Sequence, residues 1–147
     1  MKNIKSIFRE LESSLRKASW FSEGWEIYNR GVYLQLSKEG WYNERQNGVH
    51  FETYIEKPQI RERIVPIFLH AETDVPKQRE FIEHLLSSEK ERIQSWRGYE
   101  IVGYGYSVCR SVLPLNAKHL SARLFAEMNR LRQLESAIDD TISKLSS

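Results

Sequence analysis

From Ala117 onward no glycine or proline interrupts the chain, and this unbroken stretch constrains the fold more than any other feature. Leu120, Leu124, Met128, Leu131, Ile138, Ile142 and Leu145 follow at steps of three, four or seven, which stacks them on one face of an α-helix. Pro114-Leu-Asn116 supplies the cap. Roughly 29 residues at ~1.5 Å each make a helix about 43 Å long. That is longer than a compact domain of this size is wide, so the reading expects part of the helix to need another surface. The steps from Leu124 onward also form a heptad seam, broken only at Glu135. The first half is expected to pack within the domain and the rest, through Leu131, Ile138, Ile142 and Leu145, against a partner, a second copy being the simplest.

Upstream, the hydrophobic period changes several times. Ile4, Ile7, Phe8, Leu11, Leu15 and Ala18 predict an amphipathic helix from about Asn3 to Ser19. Val32, Leu34 and Leu36 alternate with polar residues and predict a strand that Trp25 and Ile27 extend upstream. Asn47-Gly48 is the best hairpin-turn signal, because both residues tolerate the positive φ of a type I′ turn. A strand follows with Val49, Phe51, Thr53 and Ile55 on one face and His50, Glu52, Tyr54 and Glu56 on the other. Ile64 to Leu69 reads as a third, more central strand, with Pro66 hinting at a bulge or an edge.

Asp74 and Pro76 mark the start of a helix, with Phe81, Ile82, Leu85 and Leu86 as its buried stripe and Trp96 near its end. Residues 99–102 and 106–113 read as a hairpin or as one bent strand, the hairpin slightly favoured. The fold class expected is α+β: an antiparallel sheet of about five strands in the order helix, three strands, helix, two strands, long C-terminal helix. The helices lie mainly on one face, in a single domain spanning residues 1–147.

Charge narrows the partners. Twenty-two basic and 20 acidic side chains alternate along the chain for a formal charge of +2, without the basic stripe that grips a phosphate backbone, so nucleic acid is not the favoured partner. No apolar run approaches membrane-spanning length. With one cysteine, Cys109, no internal disulfide, cysteine zinc cluster or C-x-x-C redox site can be built, and a reducing, cytoplasmic setting fits. Cys109 itself reads as a small core side chain.

Reactive motifs are sparse. There is no G-x-S-x-G elbow and no phosphate loop. The most metal-like string is His70-Ala-Glu72-Thr-Asp74, whose three ligand types fall on one side of an extended chain. Its bland reading, a solvent-facing strand end leading to a helix cap, carries more weight. Glu80 and His84 lie one helical turn apart without a second pair to complete a site. The four histidines, His50, His70, His84 and His119, fall on four different elements. No catalytic residue, metal or cofactor is therefore expected. A competing reading puts a ligand- or metal-binding enzyme on one sheet face, should His50, Glu52, His70, Glu72 and Asp74 converge there. Tyr99, Tyr104 and Tyr106 with Arg97 and Arg110 form the densest aromatic and basic cluster, a candidate partner surface whose alternative role is cross-strand packing.

Two resemblances accompany these residues. In size and order of elements the chain resembles type III secretion chaperones, which implies a dimeric, effector-binding α+β domain. Gly31-Val-Tyr-Leu-Gln-Leu36, Trp41, Gly48-Val-His-Phe-Glu-Thr-Tyr-Ile55 and the closing helix resemble the accessory C-terminal domains of some PD-(D/E)xK-type defence nucleases. The magnesium-holding acid and acid-x-lysine of those nucleases are missing here. The likeness therefore implies a free-standing, non-catalytic module. Together these readings predict a homodimeric interaction domain that binds a protein or serves a nucleic-acid-related complex.

Overall fold

The structure, a computed structural model, describes residues 3–44 and 47–146. It opens with helix α1 (Ile4–Lys17), where Asn3 Oδ1 accepts from the Lys5 amide at 2.8 Å and Ile7, Phe8, Leu11 and Leu15 are buried. Strands β1 (Trp25–Asn29), β2 (Tyr33–Lys38) and β3 (Val49–Tyr54) follow, then the short helix α2 (Lys57–Glu62) and strand β4 (Ile64–Ala71). Helix α3 (Gln78–Ser95) leads to strands β5 (Glu100–Tyr104) and β6 (Ser107–Pro114). The chain closes with α4 (Leu120–Leu131), a 3-10 turn (Arg132–Leu134) and α5 (Glu135–Leu145).

The sheet has six strands where the sequence predicts about five, because Trp25–Asn29 turns back on β2 as a strand of its own. Its order is β1-β2-β3-β4-β6-β5, with every neighbouring pair antiparallel. The α+β class holds, and residues 100–114 form the hairpin. The meander breaks at α3, which carries the chain past the β6 position to the sheet edge. Pro66 sits inside the central strand β4, opposite Val112, and the β3–β4 ladder runs only as far as Ile67. The irregularity in the β4–β6 pairing falls instead between Leu69 and His70.

One sheet face is apolar and buried: Leu34, Leu36, Val49, Phe51, Val65, Ile67, Leu69 and Cys109 lie under α1, α3, α4 and α5. The opposite face carries the alternate side chains and is left open. That alternation follows from the period of two along each strand.

Two expectations about turns are corrected. Ten residues separate β2 from β3, so Asn47-Gly48 is not a two-residue hairpin turn. Gly48 is needed for another reason: its φ is +70°, and a Cβ there would lie 2.2 Å from the Tyr42 carbonyl oxygen. Asp74 does not cap α3 either, since its Oδ1 accepts from the Gly48 amide at 2.9 Å and ties the β2–β3 loop down.

The closing segment is not one long helix. The 3-10 turn divides it, so α4 packs on α1 and α5 packs on α3. Leu134 fills the seven-residue gap in the seam and is fully buried, as are Leu124, Met128, Leu131 and Ile138. Ile142 and Leu145 are partly buried against the same core. The helix polar side is engaged as well: Asp139 accepts from the Trp41 indole at 2.8 Å and from Lys38 at 2.7 Å, while Glu135 pairs with Lys38 at 2.8 Å. The chain thus buries Leu131, Leu134 and Ile138 itself and leaves Ile142 and Leu145, two of the four expected partner residues on this helix, partly exposed. Among the described residues no helix is long and apolar enough to cross a membrane.

Candidate metal centre

On the open face, β3 and β4 run antiparallel in a register that sets His50 opposite His70 and Glu52 opposite Phe68. Each histidine begins a His-x-Glu string, His50-Phe-Glu52 and His70-Ala-Glu72. Alternation along a strand sends both members of such a string to the same face. Four side chains therefore meet. His50 Nε2 lies 3.4 Å from Glu52 Oε1 and 3.5 Å from Glu72 Oε2, while His70 Nδ1 lies 3.6 Å from a Glu52 oxygen and 3.6 Å from Glu72 Oε2. Candidate ligand atoms of His50, Glu52 and His70 all lie within 4.8 Å of one another.

The surroundings orient these groups. His50 Nδ1 sits 3.1 Å from the Asn47 carbonyl oxygen, which can only accept, so that nitrogen carries a hydrogen and Nε2 is the atom facing the carboxylates. Gln35, across from Glu52 on β2, donates to Glu52 Oε1 at 2.8 Å. Both histidines are buried, and neither His50 Nε2 nor His70 Nδ1 has an aligned hydrogen-bond partner. A buried imidazole that gives its other N–H to a carbonyl and is flanked by an oriented carboxylate is the arrangement by which proteins position metal-binding histidines.

The electrostatics lean the same way. Burial pushes the His70 imidazole down to about 4, against the pull of Glu52, so it is neutral at neutral pH. Burial alone would raise the Glu52 carboxyl, but the His50 contact, the His70 ring and the Gln35 hydrogen bond together hold it below the usual range. Burial raises the Glu72 carboxyl, with His50 opposing and Glu52 and Asp74 adding to the rise. Ring nitrogens of both histidines face carboxylate oxygens, and two carboxylates in one place favour a positive charge between them.

A proton and a metal ion would leave different spacings. A proton shared between imidazolium and carboxylate pulls N and O to roughly 2.7–2.9 Å. Ligand atoms each ~2.1 Å from one tetrahedral zinc stand ~3.4 Å apart. The observed nitrogen–oxygen separations of 3.4–3.6 Å, which involve both oxygens of Glu52, lie nearer the second.

Glu52, His70 and Glu72 of the cluster line an open cavity of about 660 Å³ together with Tyr28, Tyr33, Tyr54, Phe68 and Tyr106, and His50 lies buried beneath it. Phe68 lies 4.7 Å from the His70 ring, Tyr106 meets that ring edge-on at 5.0 Å, and Tyr54 runs nearly parallel to Phe68 at 6.0 Å.

Of the five residues in the competing sequence reading, the fold brings together His50, Glu52, His70 and Glu72 and sends Asp74 to the Gly48 amide. His84 is on α3 and His119 precedes α4, both away from the cluster. The tyrosine cluster is divided. Tyr99 is half-buried and donates to Glu127 at 2.9 Å on the helical side, where its hydroxyl is pushed far up by burial and then by Glu127. Tyr104 and Tyr106 are 74% and 49% exposed at the β5–β6 turn, and Arg110 is paired with Glu100 at 2.6 Å. Gln35, the Asn47 carbonyl and the aromatic walls were not legible as parts of a site. The available signal was the repetition of His-x-Glu on two strands that could be neighbours. No protein-family model, curated protein or solved structure matches the chain.

Proposed function

We propose that this chain is a metal-binding domain in which His50, Glu52, His70 and Glu72 hold a divalent transition-metal ion, zinc being the first choice, and present it to a small ligand in the adjoining cavity. The observation that carries this reading is the 3.4–3.6 Å spacing of ring nitrogens and carboxylate oxygens, too long for charge-assisted hydrogen bonds and right for a shared ion. Two imidazoles and two carboxylates suit zinc or a similar ion, where an all-oxygen set would suit magnesium or calcium.

An ion held by these residues would supply Lewis acidity to a ligand from the cavity that joined as a fifth ligand or displaced a carboxylate. The chain's own residues do the remaining work. Asn47 and Gln35 fix the His50 ring and the Glu52 carboxylate, and burial keeps His70 unprotonated and able to ligate. The competing idea of a self-associating adaptor draws less support from the terminal helix, because the chain buries Leu131 and Ile138 itself. The buried single cysteine favours a reducing setting such as the cytoplasm.

The test is titration of chelator-treated protein with Zn²⁺ by calorimetry and with Co²⁺ by visible absorption. Micromolar or tighter binding and the spectrum of a four-coordinate cobalt ion are expected, with both lost in His50→Ala and His70→Ala. A dissociation constant weaker than about 1 mM, or binding indifferent to both substitutions, removes the proposal.

A further inference from the structure

Three carboxylates, Glu52, Glu56 and Glu72, line the cavity, and among the described residues no lysine or arginine does. Two guanidinium groups close by are already engaged: Arg30 donates to the Tyr28 hydroxyl at 3.2 Å and lies over that ring, and Arg110 is bonded to Glu100. Above the acidic floor stand five aromatic rings. Aromatic faces carry partial negative charge and attract cations, most strongly where water is partly excluded. A divalent ion on the floor would offset Glu52 and Glu72 and leave Glu56 at the rim still negative.

We infer that this cavity selects a small organic cation, an amine or ammonium group carried on a flat or alkyl body, and rejects anions of the same size. Carboxylates and aromatic side chains from β1, β2, β3, β4 and the β5–β6 turn line one concavity, so a cation placed there is attracted by both. In the metal-free form a carboxylate or phosphate would meet three carboxylates and, among the described residues, no lining lysine or arginine. The inference rests on the reading above for the floor of the cavity, and its charge preference is set by the rim and walls. It differs from the expectation of a protein surface at Tyr104, Tyr106 and Arg110, because Tyr106 here serves as the outer wall beside His70.

The experiment uses two probes with the same phenol ring and opposite charge, tyramine and 4-hydroxyphenylacetate, titrated by calorimetry into the full chain in metal-free and Zn²⁺-loaded forms. Tyramine is expected to bind more tightly than 4-hydroxyphenylacetate by about tenfold or more in the metal-free form, and Zn²⁺ is expected to narrow the difference. Glu56→Gln and Tyr106→Ala are expected to weaken tyramine several-fold while Zn²⁺ affinity stays within about twofold. Both positions are exposed, so circular dichroism should show the fold intact. In the metal-free form, equal affinities, a preference for the anion, or no binding of either probe up to about 10 mM overturns the inference. Zn²⁺ titration of the same preparations separates the two readings. Zinc that fails to bind while tyramine binds removes the metal and leaves the cation site, and zinc that binds without discrimination between probes by the metal-free form removes the cation site alone.

Discussion

His50 and His70 are cross-strand partners on β3 and β4, their rings 5.5 Å apart and nearly perpendicular, with a carboxylate on either side. The pair sits on the open face of a sheet whose other face is packed with helices. It is therefore backed by the packed face, and His70 lines the cavity above.

An ion bound only by the folded chain must stabilise it. With free Zn²⁺ at a hundred times the dissociation constant the gain is about 2.7 kcal/mol. For a chain of this size that raises the melting temperature by roughly 5–10 °C. Thermal melts with and without chelator should show the rise in the wild type and none in His70→Ala.

Gln35 does not reach the proposed ion but orients the carboxylate that does. Gln35→Ala should weaken Zn²⁺ roughly 10- to 100-fold while leaving the melting temperature of the metal-free protein nearly unchanged. Metal-free melts beside zinc calorimetry decide this, and an unaltered affinity would show that Glu52 needs no support.

Ile138 is buried in its own chain, on the helix that packs against α3. Ile138→Ala should cost about 2–5 kcal/mol of stability from the lost burial and the cavity left behind. The urea midpoint should fall equally at low and high protein concentration. A midpoint that climbs with concentration in the wild type would instead reveal an association surface.

Alkaline pH should destabilise the fold. Burial pushes the Cys109 thiol from an ordinary 9.0 up to about 12, and burial followed by Glu127 raises the Tyr99 hydroxyl too. The unfolded chain therefore loses these protons first. Their contribution is fully present below pH 9 and declines as pH rises through the interval to 12, by up to about 4 kcal/mol for the thiol. Urea midpoints at pH 8 and pH 10.5 should differ in that sense, with a smaller difference in Cys109→Ala.

Local pattern carried much of the fold. The stripe Ile7, Phe8, Leu11, Leu15 and the alternation Val49, Phe51, Thr53, Ile55 both face the core as their spacing requires. Spacing could not show the break in the terminal helix. Leu131, Leu134 and Ile138 continue the seam smoothly, and the 3-10 turn lets α4 follow α1 while α5 follows α3. Nor could it show that Asp74 would serve Gly48, because that bond joins residues 26 positions apart.

The sequence by itself determined the class of fold, the faces of the strands and the two His-x-Glu strings, since each depends on the periods of helix and strand. Only the tertiary structure decided that the two strings meet, because this depends on pairing register. A slip of one residue between β3 and β4 would turn one string to the opposite face and leave the four ligands apart.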